Sequence, residues 1–238
     1  MKTIIHKADT RGFANHGWLK SHHTFSFAGY QNPERMNFGK LRVLNDDVVQ
    51  PKMGFGTHPH QNMEIISIPL KGALSHKDSM GNKRAIEVGE VQVMSAGTGL
   101  THSEFNDSKT EEVNFLQLWI LPEEMGVEPN YEQHKFSDEG RKNKLQTVVA
   151  PKHKLEGEAL PISQQAYIYR TDMGEGKSVI LTPKSETNGF YVFVADGSAE
   201  VSGNTINKRD AIGIWDTDTT EIFAKSDTEI IVIEVPMH

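Results

Sequence analysis

From Leu41 to Val235 the sequence returns repeatedly to short runs of β-branched, aromatic and other apolar residues, each cut off by Gly, Pro, Asn or Asp. Few stretches keep the 3.6-residue period that an amphipathic helix requires. Short strands set off by turn residues leave a sandwich or a barrel as the packed solutions. "VNFLQLWIL" (113–121) is almost continuously apolar, as a strand covered on both faces is. Turns are expected at Lys71-Gly72, at Met80-Gly81-Asn82 and at Gly89, and "LRVLNDDVV" is expected to run into a turn at Asp46-Asp47.

The pattern pauses between Pro122 and Lys144, where "PEEMGVEPNYEQHKFSDEGRKNK" is charged, carries two prolines and has no apolar period, and so reads as a linker. It resumes in "LQTVVA", "QAYIYRTDM", "SVILTP", "FYVFVADGSAEV", "TINKRDAIGIW" and "TEIIVIEV". The chain is therefore expected to be all-β, with two tandem β-barrels. At 238 residues it is long enough to bury a core without staples.

The absence of cysteine removes disulfides, thiolate metal ligands and cysteine nucleophiles together, and fits a reducing compartment. "MKTIIHKADTRGF" turns polar after five residues, and no later segment approaches the roughly 20 apolar residues of a membrane span. These features predict a soluble cytoplasmic protein without a membrane partner. A formal net charge of -7 offers no basic field to phosphate backbones, so no direct nucleic-acid partner is expected.

In "FGTHPHQNMEIISIPLKG" (55–72), His58 and His60 flank Pro59 ahead of a strand-like run. Residues i and i+2 of a strand project from one face, so the pair can chelate one ion. Pro59 has no ladder donor, which suggests a strand start or a position whose N–H has no partner. "GTGLTHSEFND" (97–107) repeats the device with His102 and Glu104. If the two strands are neighbours, three imidazoles and one carboxylate converge. A chance pair among eleven histidines is the competing reading, and the coincidence of two pairs weighs against it. His22 and His23 are adjacent, so at most one looks inward, and a surface or core-satisfying role is expected. His76 is expected to be solvated on a polar hairpin. Glu64 reads equally as a ligand, as a partner of a ligand or as a plain buried acceptor.

These residues sit in blocks that resemble the pirin family of bicupins, and its bacterial quercetinase-type members in particular. The blocks are "HGWLKSHHTFSFAGY", "MNFGKLRVLNDDVVQPKMGFG", "GTHPHQNMEIISIPLKGALSHKDSMGN", "GEVQVMSAGTGLTHSEFN" and "FLQLWILP". The resemblance implies two cupin-type barrels, a metal-binding one over residues 1–135 and a degenerate one without metal ligands over 136–238. It implies that His58, His60, His102 and Glu104 hold one non-haem iron, with Glu64 beside the ligands rather than among them. Gly72 falls one residue later after Glu64 than in most cupins, and Ser95 stands where proline is usual; both fit pirins. The implied activity is that of a quercetin 2,3-dioxygenase, which cleaves a flavonol or a similar enol-bearing aromatic with O2 and releases carbon monoxide. The alternative it implies is an iron- or redox-responsive binding protein acting through protein partners.

The donor set suits Fe(II), Cu, Ni, Co, Mn or Zn alike, so ligand chemistry gives one divalent transition metal and the resemblance gives Fe(II). Four protein ligands around a six-coordinate ion leave two open positions, which structural zinc sites lack and oxygenases need. Glu104, beside an incoming hydroxyl, is the expected proton acceptor.

Overall fold

The computed structural model describes residues 1–238 as strands and connecting turns, with two single-turn 3-10 segments as the only helical pieces. The first half carries β1 (Lys2–His6), β2 (Gly12–Asn15), β3 (Leu19–His23), β4 (Leu41–Val49), β5 (Gly54–His60), β6 (Glu64–Lys71), β7 (Ala73–Asp78), β8 (Lys83–Glu87), β9 (Glu90–Ser95), β10 (Leu100–Asn106), β11 (Val113–Ile120) and β12 (Asn130–Lys135). The second half carries β13 (Gln146–Pro151), β14 (Leu160–Ile162), β15 (Tyr167–Met173), β16 (Ser178–Leu181), β17 (Asn188–Asp196), β18 (Ser198–Val201), β19 (Asn204–Asn207), β20 (Ala211–Trp215), β21 (Thr220–Ala224) and β22 (Thr228–Pro236). No helix is long and apolar enough to cross a membrane.

Each half is a sandwich of a seven-stranded and a four-stranded sheet. The first has the orders β12-β9-β6-β11-β4-β3-β2 and β5-β10-β7-β8, the second β1-β20-β17-β22-β15-β13-β14 and β16-β21-β18-β19. The expected turns at Gly72 and Gly89 are present, both at positive φ, where a side chain would be strained. Three expectations change. β4 runs unbroken through Asp46 and Asp47, because their carboxylates find partners: Asp46 binds Arg209 of the turn before β20, and Asp47 accepts from Ser21 of β3. The charged stretch after Pro122 contains β12, which pairs with β9 from Asn130 to Lys135. The chain also exchanges its first strand: β1 precedes the first sandwich in sequence but pairs with β20 of the second.

Strand alternation divides labour in the large sheet of the first half. In β6 and β11, Ile66, Ile68, Leu116, Leu118 and Ile120 face outward and join Val148, Val149, Ile168, Phe193, Ile231 and Ile233 in one core between the two halves. The other face, with Ser67, Gln117 and Trp119, looks into the first sandwich. The sheet is covered on both sides, as the apolar run of β11 predicts. A fragment ending at Gly140 would expose the shared core and is expected to aggregate. Its soluble fraction after expression checks this, and a monodisperse soluble fragment would contradict the packing.

The strand exchange is fastened by His6, which is buried with Nδ1 2.7 Å from the Tyr191 hydroxyl. Burial first, then the charges of Arg35 and Arg11, lower its pKa from 6.5 to about 4. The unfolded chain thus binds the proton between those values and the folded chain does not. Stability from this group is full above pH 6.5 and is lost as pH falls through 4, on the order of 3 kcal/mol in all. Denaturant unfolding at pH 7 and pH 4 should show a smaller acid loss for His6→Gln than for the native chain; parallel losses would contradict it.

Candidate metal centre and its cavity

β5 and β10 are antiparallel neighbours in the small sheet, with His102 opposite His58 and Leu100 opposite His60. β5 is the sheet's edge strand, so Pro59 deprives no second neighbour of a donor. The register slips between His102 and Glu104, a bulge that changes which β5 residues face the end of β10. One nitrogen from each of His58, His60 and His102 lies within 4.8 Å of the others. The Nε2 atoms of His58 and His102 are 3.0 Å apart.

The His58 ring is oriented by its own strand. Its Nδ1 lies 2.8 Å from the Gly56 carbonyl, which can only accept, so Nδ1 carries the proton and Nε2 presents its lone pair to the cluster. Two nitrogen–metal bonds of about 2.1 Å at right angles would span about 3.0 Å. Burial, reinforced by His58, lowers the pKa of His60 to about 4. Burial, with His58, His60 and His76 adding to it, lowers that of His102 further. Both rings are neutral at pH 7 and available as ligands. The residues present therefore fit one divalent ion.

Glu104 is buried on the same strand, with Oε2 accepting from Gln117 Nε2 at 2.8 Å and Oε1 from Ser67 Oγ at 3.3 Å. Burial raises its pKa against the opposing pull of these bonds and of His58. The structure draws the three imidazoles into one group of mutually close donors; Glu104 lines the same cavity but stands outside that group. Glu64 is not beside the site. It faces the other half, where Oε2 accepts from Ser95 Oγ at 2.6 Å and from the Ser163 amide at 3.1 Å. Of the three readings of Glu64, the buried acceptor holds and a place beside the ligands does not, because the residue sits on the face of β6 opposite Ser67.

His76 is also placed otherwise than expected. It is buried, not solvated: its partner across the ladder is Glu104, its ring stacks on Tyr131 at 4.8 Å, and it lies 5.3 Å from the His102 ring. The polar residues around it in sequence suggested a hairpin tip, but strand alternation turns this one inward. Tyr131 comes from the segment that sequence reading assigned to a linker.

His58 and His60 open on a cavity of about 730 Å³, walled by Trp18, Phe55, Trp119, Phe27 and Tyr30 among others. Its lining also includes Ser21, His23, Asn45 and Asp47. Asp47 has no cationic partner, and burial raises its pKa to about 7 against the Ser21 hydrogen bond. Of the adjacent histidines, His23 looks inward, and the His22 ring lies tilted against Phe13 at 4.8 Å. Sequence reading missed Gln117, Asn45 and Asp47. The lone glutamine of an apolar strand was a usable signal, whereas the paired aspartates imitated a turn.

Comparison with known proteins gives family matches over both halves: residues 5–120 match the pirin model and residues 147–235 the quercetinase C-terminal cupin domain. The chain is 42% identical over 232 residues to a protein named quercetin 2,3-dioxygenase from Escherichia coli K12, covering 98% of each chain. It is 39% identical over 226 residues to a pirin-like protein from Caulobacter vibrioides, covering 95% and 96% of the two chains. A solved bacterial pirin from Escherichia coli in complex with nickel(II) superposes with a TM-score of 0.93 at 40% identity, covering 100% of both chains.

Proposed function

The chain belongs to the pirin family, and on that premise we propose that it is a metal-dependent dioxygenase that cleaves a flavonol, or a related enol-bearing aromatic, with O2. The observation that carries the proposal is three converging imidazoles beside an aromatic-walled cavity of about 730 Å³. His58, His60 and His102 would hold one divalent ion, with Glu104 as the fourth donor; iron(II) is the proposed ion, and copper, nickel, cobalt, manganese and zinc are chemically admissible. When bound, such an ion supplies Lewis acidity, which favours the deprotonated form of an enol hydroxyl. The cytoplasm is the proposed setting, in keeping with a chain that lacks cysteine.

The protein's own groups account for the rest. Trp119 packs edge-on against His60 at 5.0 Å and offers a flat ligand an aromatic wall beside the imidazoles. Glu104 accepts the proton of the substrate's enol hydroxyl, and Gln117 and Ser67 fix the carboxylate for that transfer. The apolar wall keeps water from the electron-rich ring that results. Adding a flavonol anaerobically to the metal-loaded protein should shift its absorption to longer wavelength, and admitting oxygen should bleach it. An unshifted spectrum at saturating protein would count against the assignment.

A further inference from the structure

The interior face of the large sheet carries polar residues in a row where a cupin core would otherwise be apolar. Ser67 of β6 is opposite Gln117 of β11, Gln117 is opposite Asn45 of β4, and Asn45 is opposite His23 of β3. In the adjoining row Asp47 is opposite Ser21. The row begins at the carboxylate of Glu104, which Gln117 holds, and ends two strand spacings from β11, about 10 Å away. His58 and His60 line the same cavity, so a ligand held at those imidazoles shares it with the row.

The hydrogen bonds at the far end fix what the row offers. His23 Nδ1 is 3.0 Å from Asn45 Oδ1 and 3.2 Å from Ser21 Oγ. The amide oxygen only accepts, so Nδ1 carries the proton and Nε2 is left as an acceptor. The Ser21 hydroxyl donates to Asp47 Oδ1, which leaves Oδ2 without a partner. Neither free atom belongs to the set of sealed, unpartnered polar atoms, which includes His102 Nδ1; both remain open to the cavity. A buried carboxylate with no cation beside it costs stability unless a ligand's donors satisfy it.

We propose that Asp47 and His23, positioned by Ser21 and Asn45, form a specificity subsite that accepts hydrogen bonds from phenolic hydroxyls on the substrate's second ring. The subsite selects an enol-bearing aromatic with a hydroxylated pendant ring, oriented with its enol end at the imidazoles and that ring on β3 and β4. This rests on the reading of the cavity as a flavonol site. A site built to accept from a hydroxyl rejects the analogue that lacks it, because its acceptors then stay buried and unpaired.

The test is equilibrium binding to the metal-free protein, read by quenching of Trp18 and Trp119, which line the cavity. Two flavonols are compared, one with vicinal hydroxyls on the pendant ring and one with none there. The native chain should bind the hydroxylated flavonol at least about tenfold more tightly. In Asp47→Asn, and independently in His23→Phe, that ratio should collapse to below about threefold. The two substitutions lie on different strands, so a folding failure in one leaves the other to decide. Equal binding of the two flavonols by the native chain overturns the subsite, as does an undiminished ratio in a folded variant. Neither metal nor oxygen is present, so a protein that shows the ratio yet oxidises neither flavonol overturns the dioxygenase reading alone.

Discussion

The His58→Ala/His60→Ala protein is expected to bind no metal, where the native chain takes up one ion. Two of the three close imidazole nitrogens disappear, which leaves only His102 and Glu104 of the four proposed donors. No substitute site is at hand, since residues 154–237 contain neither histidine nor cysteine. The interior of the second sandwich is filled instead by an apolar cluster that includes Phe190, Val192, Ile212 and Val232. The fold should survive, because both side chains are only partly buried and lie on an edge strand. Metal analysis then reads zero against one, and thermal melting supplies a second reading. An ion at about 100 times its Kd stabilises a folded protein by about 2.7 kcal/mol, so added metal should raise the melting temperature of the native chain and leave the double variant unmoved. A full equivalent of metal in the double variant would remove the site from this strand pair.

Glu104→Gln is expected to lower turnover by about 10²–10⁴-fold while metal content falls far less. The substitution keeps the shape and an oxygen that can still accept from Gln117, but it removes the proton acceptor and a negative charge. Single-turnover rates at matched metal occupancy separate the two effects. A metal-loaded Glu104→Gln protein that oxidised a flavonol at the native rate would show that the proton goes elsewhere. His76, buried 5.3 Å from the His102 ring and without hydrogen-bond partners on either nitrogen, is the next group to examine in that event.

Where the sequence was readable, a short-range rule was enough. The i, i+2 geometry of a strand places His58 with His60, and the nearly continuous apolar run of β11 announces a sheet covered on both faces. What it concealed depends on pairings distant in sequence. Asp46 and Asp47 read as a turn because aspartates usually end strands; they continue one here because Asn114 and Ser21 of other strands, and Arg209 of the turn before β20, satisfy them. Glu64 fell in the wrong place for a similar reason: its partner, the Ser163 amide, lies 99 residues away in the other half. β1 pairs across nearly the whole chain, and nothing local to "KTIIH" signals that. The inward turn of His76 needed only the alternation of β7, and local polarity outweighed it in the reading.

The central claim is that one ion on the His58, His60 and His102 nitrogens makes this protein an oxygen-consuming flavonol enzyme. It is tested most directly by measuring metal content and oxygen uptake on the same samples, reconstituted separately with iron(II), copper, nickel, cobalt and manganese. The account predicts flavonol-dependent uptake with at least one of these ions, in proportion to occupancy, one O2 for each flavonol cleaved, and none in the His58→Ala/His60→Ala protein. Full occupancy with every ion and no oxygen consumed with any flavonol would contradict it and transfer the role of the site to metal-dependent binding of a protein partner.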